Sequence, residues 1–455
     1  MNSPLLTDLY QLTMGYGYWK NNMAAQDAIF HLFYRRAPFG EKGAIAAGIE
    51  TAIDYLENLH FTKEELAYLK TLKGHDDKAL FDQGYIDYLH EMKWTLNVKA
   101  VPEGELTFPH EPLLQIQGPL IQCQLVETAL LNIVNFQTLI ATKAARICEA
   151  AGDDPVLEFG LRRAQGPDGG VCASRAAYIG GCVATSNVLA GMKYDIPIKG
   201  THALSWVMSF DTEEEAFEKY AQAMPNNTLL LVDTYDTIGG VKAAIKIGRR
   251  LREKGHDLLG IRLDSGDLAQ LSIDARKILD EHGFPNAAIV ASNDLDEYSI
   301  RKLKDAGAKI DTWGIGTKLV TAYDQPALGG VYKLGAIKDS DGTWQYRIKL
   351  SEDLVKVSNP GRLQVARETN KQGHILKDIT FNELDDTQVT GTPLLKIVII
   401  NGKRANPTED ISTVQARAVA AWKSRPADTP VTLHPSVEET KRELLKKHGF
   451  TPNEK

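Results

Sequence analysis

Hydrophobic and polar positions divide the chain into a helical stretch followed by a regular alternation of short and long segments. Between about residues 119 and 151, apolar side chains recur at helical spacing, which predicts one long or broken helix. Beyond this stretch, short apolar runs alternate with amphipathic segments such as DLAQLSIDARKILDEHG. The apolar runs start near Val156, Ile196, Leu229, Leu258, Ala287 and Ile310, and the last four recur at roughly 23 to 29 residues, the length of a βα unit.

This alternation predicts a parallel sheet, either closed as a barrel or open and doubly wound. Residues before about 115 mix helical and strand patterns. Residues after Tyr332 are turn-rich and strand-like, and they end in a charged helical tail. We therefore expect an N-terminal α+β part over residues 1–138, an α/β part that carries the site over 139–332, and C-terminal strands and helices over 333–455.

Composition narrows the class of protein. The 455 residues are 43% hydrophobic and 24% charged, which is typical of a soluble globular protein. A net charge of -7 counts against nucleic acid or an anionic membrane as the main partner. No run approaches the roughly 20 apolar residues that span a bilayer, and the N-terminus does not resemble a signal peptide. The four cysteines, Cys123, Cys148, Cys172 and Cys182, form no C-x-x-C pair, so we expect reduced thiols and a cytoplasmic protein.

Chemically active side chains follow the predicted strands, at the edge where parallel α/β folds bind ligands. They combine cations, carboxylates, one aromatic ring and a glycine-rich turn, which suits an anionic phosphorylated sugar held with a divalent metal. The residues at these positions are Phe159, Arg162, Arg163, Gly200, Thr201, His202, Asp233, Arg262, Asp264, Asp267, Ser292, Asn293, Asp294, Gly314, Gly316 and Thr317.

Several of these motifs also have a purely structural interpretation. The Gly-x-Gly turn before Thr317 could cap a helix or cradle a phosphate with its amides. In RLDSGDL, the acidic residues could cap the next helix, or Arg262 could bind an anion while Asp264 accepts from sugar hydroxyls. Phe159 beside Arg162 suits a planar aromatic carboxylate, although such arginines are often only solvated.

The roles of two further cations and one histidine are open in the same way. Lys143 and Arg146 lie one turn apart on one helix face, which is either solvated or available to an anionic group. His202 in GTHALSW is either a hydrogen-bonded histidine at a strand end or a working group.

Seven spaced motifs resemble those of nicotinate phosphoribosyltransferases, and the resemblance covers nearly the whole chain. The motifs, in order, are TDLYQLTMGYGYW, FQTLIATKAARI, EFGLRRAQGPDGG, KGTHALSWVMSF, LLLVDTYDT, IRLDSGDL and WGIGTKLVT. The resemblance implies an irregular parallel α/β barrel and a second α+β domain built from N-terminal and C-terminal segments. It also implies transfer of a phosphoribosyl group from 5-phosphoribosyl 1-diphosphate to nicotinate, with Mg²⁺, in a homodimer that shares its active sites.

The resemblance also implies roles for individual residues. Tyr10 and Phe159 are similar to the aromatic pair that sandwiches the pyridine ring. Arg162 and Arg262 resemble the cations around carboxylate and diphosphate, and Asp264 resembles the acceptor of the ribose hydroxyls. The remaining residues implied to bind substrate are Thr201, Ser186, Lys143, Arg146, Ser292, Asn293, Gly314, Gly316 and Thr317. Metal ligands are not identified.

Two positions refine this expectation. Nicotinamide-using relatives carry an acidic residue where this chain has Ser186, so serine favours the anionic base nicotinate. The family motif reads G-T-x-A-H, and its histidine is phosphorylated by ATP; this chain has Leu204 at that place. We therefore expect activity with little or no ATP stimulation, because His202 stands two residues away and is a poor substitute. The alternatives are a binding-only relative, or a transferase acting on nicotinamide or quinolinate.

Overall fold

The computed structural model describes residues 3–351, 353–385 and 387–450, and the chain divides into two compact units. The first unit contains residues 1–139 and 327–455, and the second contains residues 140–326. The N-terminal part folds as α1 (Leu9–Lys20), β1 (Asp27–Tyr34), β2 (Ala44–Ile45), α2 (Ile49–Glu57), α3 (Lys63–Thr71), α4 (Gln83–Glu91), β3 (Asn97–Ala100), β4 (Leu106–Thr107), β5 (Leu114–Pro119), α5 (Leu120–Leu125) and α6 (Glu127–Ala151). The helix expected over residues 119–151 is thus broken at Val126.

The second unit alternates strands and helices as the hydrophobic pattern predicts. Its elements are β6 (Val156–Glu158), α7 (Gly166–Ile179), β7 (Ala184–Thr185), α8 (Val188–Tyr194), α9 (Leu204–Met208), α10 (Glu213–Ala223), β8 (Leu229–Leu231), α11 (Thr237–Glu253), β9 (Gly260–Leu263), α12 (Leu268–Glu281), β10 (Ala288–Ala291), α13 (Glu297–Asp305), β11 (Thr312–Ile315) and α14 (Thr317–Val320). The six strands form one parallel sheet in the order β7-β6-β11-β10-β9-β8. The expected parallel α/β arrangement is confirmed.

The C-terminal part completes the first unit. It folds as β12 (Gly330–Lys338), β13 (Trp344–Tyr346), β14 (Leu363–Thr369), β15 (Ile375–Asn382), β16 (Thr392–Pro393), β17 (Lys396–Ile400), β18 (Lys403–Arg404), α15 (Ile411–Lys423), β19 (Val431–Leu433) and α16 (Pro435–Lys447). The main sheet, in the order β13-β12-β1-β5-β3-β17-β18, mixes strands from both ends of the chain. The expected α+β domain of N-terminal and C-terminal segments is therefore confirmed.

One predicted strand is wrong. The run at Ile196 contributes a single bridge, from Ile198 to Thr185, and the first edge strand is instead the two-residue β7. Thr185 donates its N–H to the Pro197 carbonyl (3.0 Å) and accepts from the N–H of Lys199 (3.1 Å). Three residues beyond Lys199, the backbone N–H of Leu231 in β8 donates to a ring nitrogen of His202 (3.2 Å). An irregular segment thus fills the seam between the two edge strands and closes the barrel.

No helix among residues 3–351, 353–385 and 387–450 combines the length and apolar character needed to cross a membrane.

Candidate active site

Arg262 in β9 is the centre of a side-chain cluster at the carboxyl edge of the sheet. Its Nε donates to the Ser292 hydroxyl (2.8 Å), and its Nη1 donates to the Thr201 hydroxyl (3.0 Å). Its Nη2 forms an ion pair with Asp264 Oδ1 at 3.0 Å. Ser292 also donates its hydroxyl to the same Asp264 oxygen. Because three elements hold one guanidinium, its plane is fixed before any ligand arrives.

Acidic residues from two neighbouring loops meet next to this cluster. Asp233 Oδ2 accepts from the backbone N–H of Asp264 (2.7 Å) and from the Ser265 hydroxyl (2.8 Å). Within the described part of the chain, the other oxygen, Asp233 Oδ1, is buried without a hydrogen-bond partner. Asp267 caps α12, because its side chain accepts from the N–H of Gln270. Capping the next helix is one of the two roles that the sequence allows for the acidic residues of RLDSGDL.

Phe159 faces Arg262 across the mouth of the barrel. The centre of its ring is 5.7 Å from the guanidinium carbon of Arg262. The ring packs against Gly314, where a Cβ atom would be 2.8 Å from a ring carbon. Any larger residue at position 314 would therefore displace the ring. The pair offers an aromatic face and a cation to a planar anionic ring.

A cavity of about 510 Å³ opens beneath this pair inside the barrel. Phe159 and Thr201 line it at the carboxyl edge, and Leu259 and Ala288 line it near the opposite edge. Most of its remaining wall is apolar, with Leu157, Ala184, Leu229 and Val290 among the lining residues. Most of this lining lies toward the amino ends of the strands, and Arg262, Asp264 and Ser292 are not part of it.

The loops after β10 and β11 complete the carboxyl edge. Asn293 and Asp294 follow Ser292 with positive φ angles of 107° and 48°, conformations that non-glycine residues rarely adopt. Gly316 is the N-cap of the short helix α14, which starts at Thr317. These residues lie where the sequence places them, at the ends of adjacent strands.

A buried polar network behind Ser186 was not predicted from the sequence. The Glu158 carboxylate accepts hydroxyl hydrogen bonds from Ser174 (2.7 Å) and Thr185 (2.6 Å). Asn187 donates to the Ser174 hydroxyl (3.1 Å), and Ser186 donates its backbone N–H to the Glu158 carbonyl (3.0 Å). The network fixes the backbone that carries Ser186. A glutamate inside the apolar run VLEFG was the one sequence feature that could have indicated it.

Lys143 and Arg146 do not form a solvated helix face. Lys143 lies 2.9 Å from Glu297 and 2.6 Å from Asp324, and its side chain is 2% exposed. Arg146 Nε lies 2.7 Å from the same fully buried Glu297. The solvated interpretation is therefore wrong, because both cations neutralise carboxylates inside the barrel unit. In this structure both side chains are engaged in these ion pairs.

His202 and Leu204 lie in different environments. The His202 ring is 8% exposed, and its centre is 4.8 Å from the Tyr220 ring. Nε2 accepts from Leu231, while Nδ1 is 3.3 Å from the Ala203 carbonyl. Burial, assisted by the positive charge of Arg262, lowers the pKa of His202, so the ring is neutral near pH 7. Leu204 is 42% exposed at the first position of α9, directly after the N-cap Ala203.

Two other predicted residues are exposed. Arg162 lies in a 3₁₀ turn, Leu161–Arg163, directly after Phe159. Tyr10 lies on α1 in the first unit and is 48% exposed, so it is not a core residue. Burial and the nearby Glu127 raise the pKa of its phenol, which is therefore neutral near pH 7.

Comparisons with known proteins agree with this arrangement. The family model for the nicotinate phosphoribosyltransferase (NAPRTase) N-terminal domain matches residues 5–135, and the NAPRTase family model matches residues 156–343. The chain belongs to the nicotinate phosphoribosyltransferase family. A nicotinate phosphoribosyltransferase of Bacillus subtilis (strain 168) is 50% identical over 371 residues, 81% of this chain and 74% of the relative. The Homo sapiens relative of that name is 36% identical over 432 residues, 83% of this chain and 79% of its own.

Solved structures extend the family likeness to the fold. The crystal structure of human nicotinic acid phosphoribosyltransferase aligns with a TM-score of 0.84 at 30% identity and covers 96% of this chain and 99% of its own. A nicotinate-nucleotide pyrophosphorylase from Pyrococcus furiosus aligns with a TM-score of 0.70 at 22% identity, which indicates a shared fold.

Proposed function

We infer that this member of the nicotinate phosphoribosyltransferase family forms nicotinate mononucleotide and diphosphate from nicotinate and 5-phosphoribosyl 1-diphosphate, a step of NAD salvage. The observation that carries the inference is the fixed cluster of Arg262, Asp264, Ser292 and Thr201, with Phe159 opposite. The barrel unit, residues 140–326, supplies all of these groups.

We propose that the two sides of the barrel mouth bind different parts of the substrates. Phe159 stacks on the pyridine ring, and the guanidinium groups of Arg162 and Arg262 serve its carboxylate and the diphosphate. Asp264 accepts hydrogen bonds from the ribose hydroxyls. The turn at Gly316 and Thr317 receives the 5-phosphate with its backbone amides, and Asn293 and Gly314 shape the adjoining wall.

The chemistry needs positioning more than proton transfer. The pyridine nitrogen attacks C1 of the ribose with its own lone pair as diphosphate leaves, so no strong general base is required. The transition state resembles an oxocarbenium ion, and its rate depends on alignment and on stabilising the charge of the leaving group. Arg262 supplies that charge in an orientation fixed by Thr201, Ser292 and Asp264.

The carboxylates suit Mg²⁺ that arrives with the substrate. No group of three or more His, Cys, Asp or Glu side chains in residues 3–351, 353–385 and 387–450 could hold a metal alone. Magnesium is usually bound by one or two carboxylates together with substrate phosphates. Asp233 has a buried oxygen without a protein hydrogen bond beside Asp264, so these two residues would hold the ion. When bound, Mg²⁺ neutralises negative charge on the diphosphate.

We propose that ATP hydrolysis is not coupled to the transfer. Leucine has no nitrogen that could form a phosphoramidate, and Leu204 stands where the family has its phosphorylated histidine. His202 is a poor replacement, because both of its ring nitrogens are in contact with the backbone and the ring is buried.

The remaining proposals concern assembly and location. We expect a homodimer in which Tyr10 contributes the second aromatic ring to the partner's site. Its exposure and its neutral phenol at pH 7 fit that role. The acidic net charge and the four free thiols fit a cytoplasmic enzyme.

A product assay with three bases tests the function. Purified protein with Mg²⁺ and 5-phosphoribosyl 1-diphosphate should form mononucleotide from nicotinate, but little from nicotinamide or quinolinate. Ser186→Asp should shift the preference from nicotinate toward nicotinamide by about 10-fold or more, because a carboxylate repels the anionic base. Ser186→Ala is the matched control and should keep the wild-type preference. Absence of product with every base would refute the enzyme and favour a binding-only protein.

A further inference from the structure

Two of the four cysteines contact each other in the barrel unit. Cys148 is on α6 and is partly exposed, whereas Cys182 follows α7 and is fully buried. A side-chain hydrogen bond joins the Cys148 and Cys182 thiols, at the place where α6 packs against the end of α7. The transfer reaction uses neither thiol, so the contact needs a separate explanation.

The packing of α6 against the end of α7 produces this contact. Gly180, the C-cap of α7, lies so close to α6 that a Cβ atom on it would be 2.3 Å from the Ala141 carbonyl oxygen and 2.5 Å from the Ala144 methyl group. Cys148 is one helical turn beyond Ala144, on the same face of α6. Two residues after Gly180, the chain therefore brings Cys182 to Cys148.

The two thiols differ in their exposure to solvent, and this difference sets the order in which they react with an oxidant. A dissolved oxidant reaches the partly exposed Cys148 first, because Cys182 has no exposed surface. The hydrogen bond with Cys148, together with burial, raises the pKa of the Cys182 thiol, which stays protonated until a reactive partner forms beside it.

We propose that Cys148 and Cys182 are a peroxide-responsive pair that closes to a reversible intramolecular disulfide. Cys148 takes one oxygen from hydrogen peroxide and becomes a sulfenic acid, and one water leaves. The Cys182 sulfur then attacks the Cys148 sulfur, so that the S–S bond forms as the S–O bond breaks. The Cys182 proton and the departing hydroxide combine as a second water. Two thiols lose two electrons in total, and one peroxide is reduced.

The disulfide would connect α6 to the turn that leads into β7. Val183, next to Cys182, donates its N–H to the Val156 carbonyl (2.9 Å), and Ser186 follows three residues later. The pair also protects the protein chemically, because a sulfenic acid captured as a disulfide is not oxidised further to the irreversible sulfinic acid.

The test maps thiols in the full-length protein and does not depend on its enzymatic activity. The protein is treated with hydrogen peroxide, its remaining thiols are alkylated, and peptides are identified without reduction. We expect a cross-linked Cys148–Cys182 peptide, two fewer alkylated thiols, and full recovery after dithiothreitol. Cys123 and Cys172 should remain alkylated. Peroxide-treated protein in which Cys148 and Cys182 occur only in separate peptides, whether oxidised or not, would overturn the proposal.

Matched variants separate a resolving cysteine from a merely adjacent one. In Cys182→Ala, the Cys148 sulfenic acid has no neighbouring thiol and excess peroxide oxidises it further to sulfinic acid, so the oxidation of Cys148 should become resistant to dithiothreitol. Cys172→Ala is the control, because Cys172 is also partly buried, and it should behave as the wild type. If Cys182→Ala kept the wild-type recovery, Cys182 would not be the resolving thiol. The wild-type peptide map decides the question even if Cys182→Ala folds poorly.

Discussion

At the scale of single residues, Arg262 is the side chain on which the proposed reaction depends most. It joins Thr201, Ser292 and Asp264, and it faces the ring of Phe159. Removing a preorganised donor to developing charge typically costs two to three orders of magnitude in rate. The same substitution also leaves Asp264 without its cation.

We therefore expect Arg262→Ala to lower kcat/KM by about 100-fold or more while the protein stays folded. Arg262→Lys should recover only part of this loss, because lysine keeps the charge but not the planar fork of donors. Steady-state kinetics together with thermal unfolding check the prediction. Equal activity of the lysine variant and the wild type would show that the fixed orientation of the guanidinium is unimportant.

At the scale of secondary structure elements, the seam of the barrel is closed by His202. The Leu231 N–H in β8 has the His202 ring as its acceptor. His202→Ala leaves this buried donor unsatisfied, which should lower the free energy of unfolding by about 1–3 kcal/mol. His202→Asn, whose side chain retains an acceptor, should lose less. Urea unfolding of the three proteins measures the difference.

The stabilisation by His202 should depend on pH. Burial holds the pKa of His202 in the folded protein below its ordinary value of 6.5, so the unfolded chain takes up a proton that the folded chain resists. The stabilising effect is complete above about pH 6.5 and is lost as the pH falls below it. The difference between wild type and His202→Ala should therefore shrink between about pH 7.5 and 5.5.

Control variants make this pH test specific. His90 is an exposed histidine at the end of α4, and His90→Asn should unfold in parallel with the wild type over the same pH range. His31, also buried, is present in all the proteins compared and cancels. A wild-type minus His202→Ala difference that stayed constant with pH would contradict a neutral His202 in the folded state.

Elements with a strong pattern were predictable, and weakly patterned ones were not. Runs such as LLGIRLD are apolar and bounded by turn residues, so β9, which contains Arg262 and is followed directly by Asp264, was located correctly along the chain. The two-residue β7 is too short for periodicity to indicate. The run at Ile196 forms only a single bridge to β7, and the hydrogen bond from the Leu231 backbone N–H to the His202 ring leaves no periodic pattern in the sequence.

Contacts between residues that are far apart along the chain were the second feature that the sequence could not predict. The spacing of Lys143 and Arg146 correctly indicates one helix face. Their common partner, Glu297, is 151 residues away from Arg146 along the chain, so nothing local shows that this face is buried. The same holds for the hydroxyl of Thr185, which meets Glu158 27 residues earlier. Spacing predicts which side chains point together, whereas tertiary packing decides what they meet.

At the scale of the whole molecule, shared active sites can be tested by mixing two impaired variants. Tyr10→Ala and Arg262→Ala each damage a different part of the proposed composite site. A hybrid dimer contains one intact site, so unfolding and refolding an equal mixture should restore about a quarter of the wild-type rate. Each variant refolded alone is the control. No gain in the mixture, with hybrid dimers present by mass spectrometry, would contradict a contribution of Tyr10 to the partner's site.

The central claim is a nicotinate phosphoribosyltransferase whose transfer step runs without ATP. The most direct measurement is the initial rate of nicotinate mononucleotide formation with Mg²⁺, with and without ATP, with ADP release followed in parallel. We predict equal rates in both conditions and no ADP linked to product. A strong rise in rate with ATP, accompanied by ADP and abolished in His202→Ala, would contradict the account, because His202 would then replace the histidine missing at Leu204.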